Sequence, residues 1–148
     1  MLGYWHEEGM TAETLRDGWL HTGDLGRLDE DGFLFIVDRK KDLIIRGGFN
    51  VYPRDVEDVL VSHPDVLSAA VVGRPDRELG EEVVAVVALR PGATASRQDL
   101  LEHAAARLAT YKYPREVRVV DAVPVTSVGK IDRRAVRRLV ADGAEGGA

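Results

Sequence analysis

Residues 43–60 read LIIRGGFNVYPRDVEDVL, and the fold class turns on this stretch. It begins as a short apolar strand, breaks at Gly47-Gly48, and resumes as an extended segment that stops at Pro53. Proline suits the first turn of a helix, where its missing N–H would have no partner in any case. Asp55 and Glu57 follow in the turn where the helix dipole favours negative charge. Val56, Val59 and Leu60 then recur at helical spacing, which predicts an amphipathic helix over about 53–62.

Downstream, HPDV (residues 63–66) breaks that helix. Two strand candidates follow, Leu67–Val72 and Val83–Leu89, separated by the polar stretch GRPDRELGEE, which reads as a turn. Ser96 with Asp99 three residues later resembles a capping box and opens a helix bearing Leu100, Leu101, Ala104 and Leu108. EVRVV (116–120) is a further strand and Asp132–Val140 a last helix, while ADGAEGGA (141–148) is expected to be a disordered tail. The order β-β-α-β-β-α-β-α describes an α+β domain over 39–140. Upstream, Leu25–Leu28 and Phe33–Val37 form a hairpin around Asp29–Gly32, because an Asp-Gly pair between apolar runs supplies the positive φ a tight turn needs. A calcium loop in the same place would put its first ligand on Arg27, a cation. Residues 1–38 are too few to form a core of their own.

The 148 residues are 45% apolar, with 20 basic and 25 acidic side chains giving a net charge of −5. That balance argues against nucleic-acid binding. The absence of cysteine excludes disulfides, thiol catalysis and thiolate zinc sites. Apolar runs such as VVAVVAL are far short of a membrane span, and no secretory signal precedes Trp5, so a cytoplasmic protein is expected. His6, His21, His63 and His103 lack metal-ligand spacing, and no serine sits in a G-x-S-x-G elbow. Lys130 follows Gly129 but is no P-loop lysine, since Pro124 stands where the first glycine belongs and Ile131 where Ser or Thr does.

Three segments occur in a particular order: GWLHTGD (18–24), DRKKDLIIRGGFNVYPRDVE (38–57) and PVTSVGKIDR (124–133). Together, and with the stretches 63–89 and 111–124 between them, they closely resemble the C-terminal third of the AMP-forming acyl-CoA synthetases, within the adenylate-forming enzymes. The resemblance is nearest to the fatty-acyl ligases. It implies a small C-terminal lid with a central, mostly antiparallel sheet flanked by helices. It also implies that residues 1–38 are the tail end of a larger N-terminal adenylation domain, left as a hairpin remnant. That missing domain would be the chief partner, and the chain alone would be inactive. Exposed hairpin edges would then invite homodimer pairing.

The implied reaction uses ATP (with Mg) to convert a carboxylate to acyl-AMP, then passes the acyl group to CoA. By resemblance Lys130 is the catalytic lysine of adenylation, with Gly129 keeping a side chain from the point of approach. Asp24 and Arg39 bind the nucleotide ribose and phosphate, Lys41 marks the hinge about which the lid rotates, and Gly47, Gly48 and Phe49 line the pantetheine tunnel of CoA. Arg46 and Lys112 are weaker candidates for the CoA phosphates, and no metal ligand is assigned. Taken singly, these residues have plainer readings: a surface lysine, a turn-capping aspartate, a solvated charged loop, a tight turn. Arg133, Arg134, Arg137 and Arg138 after Lys130 read as a solvated helix face. Two other functions remain open: loading a carrier protein in place of CoA, and a non-catalytic lid or interaction module.

Overall fold

Residues 83–89 are apolar at every position, which fits a strand covered on both faces. The computed structural model describes residues 1–142 and divides the chain after Lys41. The tail expected from 141 lies outside the described residues from 143 on; Ala141 and Asp142 belong to the last helix.

The first unit holds α1 (Glu8–Thr14), β1 (Leu15–Arg16) and β2 (Trp19–Leu20), then β3 (Asp24–Leu28) and β4 (Leu34–Arg39). β1 and β2 pair around Asp17-Gly18, both at positive φ (51° and 81°), a small hairpin that apolar periodicity is too short to announce. β3 and β4 form the expected hairpin. The Asp29 carboxylate accepts from the amides of Asp31 and Phe33, and Gly32 takes φ 84°. The strands run further than the apolar pattern, to a closing pair of Asp24 opposite Arg39. No side chain of Met1–Lys41 is buried.

The second unit contains β5 (Ile44–Arg46), β6 (Phe49–Val51), α2 (Pro53–Val61), β7 (Val66–Asp76), β8 (Gly80–Leu89), α3 (Arg97–Ala105), β9 (Glu116–Val120) and α4 (Arg133–Asp142). One sheet runs β6-β5-β8-β7, with β9 beside β8; only the β8–β9 pair is parallel, joined by the α3 crossover. Val83, Ala85 and Val87 pack with Val56, Leu60, Leu100 and Ala104 of α2 and α3. Val84, Val86 and Ala88 pack with Val136 and Val140 of α4. The unbroken apolar run is thus a central strand between two helical layers.

The polar stretch read as a turn is mostly strand. β7 continues to Asp76 and β8 starts at Gly80, leaving three residues between them. The Asp76 carboxylate accepts the amides of Leu79 and Glu78, and these bonds hold it below the ordinary carboxylate range. Pro75 is tolerated because β7 is an edge strand, where a missing N–H breaks no ladder.

The outer edge of β7 is closed by side chains. Buried Glu57 accepts the Val71 amide at 2.8 Å and the Arg133 guanidinium at 2.6 and 3.1 Å, while Arg133 also donates to the Val71 carbonyl at 2.9 Å. Asp42, 8% exposed, takes Arg137 at 2.8 Å and pairs with Arg133 at 3.6 Å. The expected solvated arginine face is therefore wrong for two of its members: Arg133 and Arg137 turn inward to buried carboxylates, and only Arg134 and Arg138 stay exposed.

α3 starts with a full capping box between Ser96 and Asp99. It packs on α2 through His103, whose Nε2 lies 3.0 Å from the Val59 carbonyl. Burial pushes the His103 imidazole below its ordinary value, against the Val59 bond and with help from the Arg107 and His63 charges. The folded state thus binds the proton less readily than the unfolded chain. This contribution to stability is complete above the unfolded value near 6.5 and is lost as pH falls toward the depressed folded value. The thermal midpoint should begin to drop below about pH 6.5, and His103→Gln should flatten that limb. A midpoint constant between pH 7 and 5 in the wild-type chain would contradict it.

Candidate active site

Asp24 opens β3 after a Thr-Gly step. Gly23 takes φ 75°, and the Thr22 hydroxyl accepts the Asp24 amide at 3.1 Å. Thr22 caps this turn, so the Asp24 carboxylate is left to face Arg39, the last residue of β4, with Nε to Oδ1 at 3.1 Å. Two residues chosen separately in the sequence are brought together by strand register. The pair is open to solvent, with side chains 28% and 58% exposed, so it adds little to stability. Its chemistry is of more interest. An ionised carboxylate can accept from two vicinal hydroxyls, and the guanidinium beside it offers donors to an anion.

Lys41 lies in the 3-10 turn Lys40–Asp42, at the seam between the units. The next residue is the buried Asp42, held by Arg133 and Arg137. The second unit begins immediately after the residue expected to be the hinge.

Lys130 sits on a short hairpin that leads into α4. Val125 and Ile131 bridge, the Thr126 amide donates to the Lys130 carbonyl at 2.7 Å, and the Gly129 amide donates to the Thr126 carbonyl at 2.9 Å. The Thr126 hydroxyl also accepts the Lys130 amide at 3.3 Å. Asp132 then caps α4, its carboxylate accepting the amides of Arg134 and Ala135 at 3.0 Å each. An exposed ammonium on a long stem is thus carried by a backbone fixed on both sides. Gly129 also has a conformational requirement of its own. Nothing lies within 4 Å of where its Cβ would stand, but its φ is 76°, a region that side chains disfavour.

Gly47 and Gly48 form the two-residue turn between β5 and β6, at φ 56° and 82°. The Gly47 amide donates to the Leu79 carbonyl at 2.8 Å. Phe49, 55% exposed, stacks on Tyr111 with ring centroids 4.7 Å apart. Sequence reasoning passed over Tyr111, Thr126 and Glu82. The run YKYP, two aromatics around a lysine beside a proline, was the available signal for the first.

Two weaker candidates are engaged by carboxylates within the fold. Arg46 is buried and forks onto Glu82 at 2.6 and 3.2 Å, with a further donation to the Tyr111 carbonyl, so it holds the fold together and does not face an incoming phosphate. Lys112 donates to Asp55 at 2.8 Å, and this bond keeps its ammonium charged above the ordinary lysine value. It too is engaged within the fold. Among the described residues, no group of three or more His, Asp or Glu is placed to hold a metal ion.

A family model described as the AMP-binding enzyme C-terminal domain matches residues 55–130, which include the capped α3, the central strand and the hairpin as far as Lys130. The chain belongs to that family. The chain is 48% identical, over 96% of its length, to the medium/long-chain-fatty-acid–CoA ligase FadD8 of Mycobacterium tuberculosis, of which it covers 26%. It is 49% identical, over 93%, to the fatty acid–[acyl-carrier-protein] ligase ScoC of Streptomyces coeruleorubidus, again covering 26%. Among solved structures, ATP-bound MatB from Rhodopseudomonas palustris superimposes with a TM-score of 0.87 at 40% identity, over 95% of this chain and 28% of that one. The chain thus spans about a quarter of the length of the curated relatives it matches. Self-pairing through the β3–β4 hairpin gains no support from these likenesses.

The two kinds of ion pair predict different stabilities. Arg46→Ala leaves the largely buried Glu82 with only the Val83 amide as a partner and no neutralising cation, and should lower the unfolding free energy by about 3 kcal/mol. Arg39→Ala removes an open pair and should change it by less than about 1 kcal/mol. Urea unfolding of the two variants, if it gave equal losses, would refute the assignment of Arg46 to the fold.

Proposed function

We propose that this chain is the C-terminal lid of an AMP-forming acyl-CoA synthetase acting on a carboxylic acid, a fatty acid above all, with ATP and CoA as co-substrates. The carboxylate oxygen attacks the α-phosphorus of ATP, the bond to pyrophosphate breaks, and acyl-AMP forms. The CoA thiol then attacks the acyl carbon, loses its proton, and expels AMP. The observation that carries this reading is Lys130, an exposed ammonium on a hairpin whose backbone is fixed by Thr126. Negative charge gathers on the carboxylate and phosphate oxygens in the first step, and a preorganised cation there stabilises the transition state. Asp24 and Arg39 would take the ribose hydroxyls and a phosphate oxygen. Gly47, Gly48 and Phe49 would admit the narrow pantetheine arm along bare backbone, after rotation at Lys41. A magnesium ion accompanying ATP is assigned to no described residue of this chain, which offers no cluster of carboxylates for one. A cytoplasmic setting goes with these substrates.

Loading of a carrier protein is the second reading, favoured by the likeness to ScoC. The chemistry is the same, since a carrier also presents a thiol on a pantetheine arm.

In the full-length enzyme, Lys130→Ala should slow pyrophosphate-forming adenylation by about 100-fold or more, the usual cost of removing a preorganised charge-stabilising group. Thioester formation from supplied acyl-AMP should stay within a few-fold of wild type; equal loss of both halves would overturn the reading. Assays with CoA and with a carrier thiol decide the acceptor. Residues 1–148 alone should show no turnover with ATP, CoA and a fatty acid, and turnover would refute the lid assignment.

A further inference from the structure

The Gly47-Gly48 turn is directed from outside its own hairpin. β5 meets β8 at one registered pair, Arg46 opposite Gly80. One residue earlier, the Ile45 amide donates to the carboxylate of Glu81 instead of a strand carbonyl, at 2.8 Å to Oε2. Room for that carboxylate exists because residue 73 is glycine. A Cβ there would collide with Glu81 Oε1 and stand 3.2 Å from Ile44 Cγ2. The neighbouring Glu82 grips Arg46, and the Leu79 carbonyl takes the Gly47 amide. The start of β8 and the turn before it therefore hold residues 45, 46 and 47 in succession.

These three holds differ in kind. Glu82 forms a buried ion pair within the fold, and Leu79 contributes only main chain. Glu81 is a half-buried side chain whose bond goes to the strand that feeds the turn. A turn of two glycines has the greatest freedom to lose on ordering, so its direction depends on what fixes its base.

We propose that Glu81 is a positioning residue for the thioester-forming half-reaction: through the Ile45 amide its carboxylate sets the direction in which Gly47, Gly48 and Phe49 project. This rests on the role proposed above for that turn in admitting pantetheine. Glu81 touches no reactant; it acts through β5.

The test uses three variants of the full-length enzyme. Glu81→Ala removes the acceptor. Gly73→Ala leaves Glu81 in the sequence but drives its carboxylate aside. Glu81→Gln keeps an acceptor oxygen on a side chain of the same shape. The first two should slow thioester formation from supplied acyl-AMP by about tenfold, as displacement of a site by a fraction of an ångström does, with adenylation within about twofold of wild type. Glu81→Gln should behave nearly as wild type, and hydrogen exchange at the Ile45 and Gly47 amides should quicken only in the two alanine variants. An unchanged thioester step in both alanine variants, or equal loss of both half-reactions, would overturn the proposal. Gly48→Val separates it from the reading on which it rests. If that variant leaves thioester formation intact, the turn is not in the path of the thiol and the underlying reading fails. If it blocks that step while Glu81→Ala and Gly73→Ala do not, only the present proposal fails.

Discussion

The second unit depends on one contact, the closure of the β7 edge by Glu57 and Arg133. An edge strand leaves main-chain donors and acceptors unpaired, and a helix packed over that edge would bury them at a cost of kilocalories. Here Glu57, from α2, takes the Val71 amide, and Arg133, from α4, supplies the Val71 carbonyl. The two side chains then neutralise each other. Helices on opposite faces of the sheet are thereby joined across its rim. A buried charge pair is weak evidence for stability in itself, but breaking one is costly because the survivor is left unsolvated. The pair therefore acts chiefly to fix where α4 begins.

Where α4 begins decides where Lys130 points. Two residues, Ile131 and Asp132, separate Lys130 from Arg133; Asp132 caps the helix, and Thr126 ties the hairpin just before. The same arginine reaches Asp42, next to Lys41. Asp42, the first residue of the second unit, and the hairpin of Lys130 thus answer to one network. Two glycine turns project from this frame, at Gly47-Gly48 and at Gly129. Each lies at positive φ, where other residues would be strained; the first is fastened at its base by bonds from the start of β8 and the turn before it, the second by Thr126 of its own hairpin. Freedom at the tip and constraint at the base suit the ligand-facing roles proposed for these turns.

Much of the fold was legible in the order of residues. The β5–β6 hairpin, α2 with Pro53 at its start, the capping box of α3 and the apolar run of β8 all rest on local physics: fixed φ at proline, a helix dipole, a periodicity of two or 3.6. The extension of β7 and β8 through GRPDRELGEE was not legible. Polar residues there are strand because of their partners across the ladder and because Asp76 closes a three-residue turn. The fates of Arg46, Lys112, Arg133 and Arg137 were hidden for a similar reason. A basic side chain carries no mark of whether a carboxylate waits for it tens of residues away. Asp24 and Arg39 were found one by one, but their meeting is a fact of register.

The sequence by itself determined most elements of the second unit, their order and the family, because these follow from local conformational preference and from motifs of short span. Only the tertiary structure decided which charges face solvent and which serve the fold, and what steadies each turn. Those outcomes depend on contacts between residues distant in the chain, such as Glu57 with Arg133 and Ile45 with Glu81, whose free energies arise from desolvation and geometry that no single segment contains.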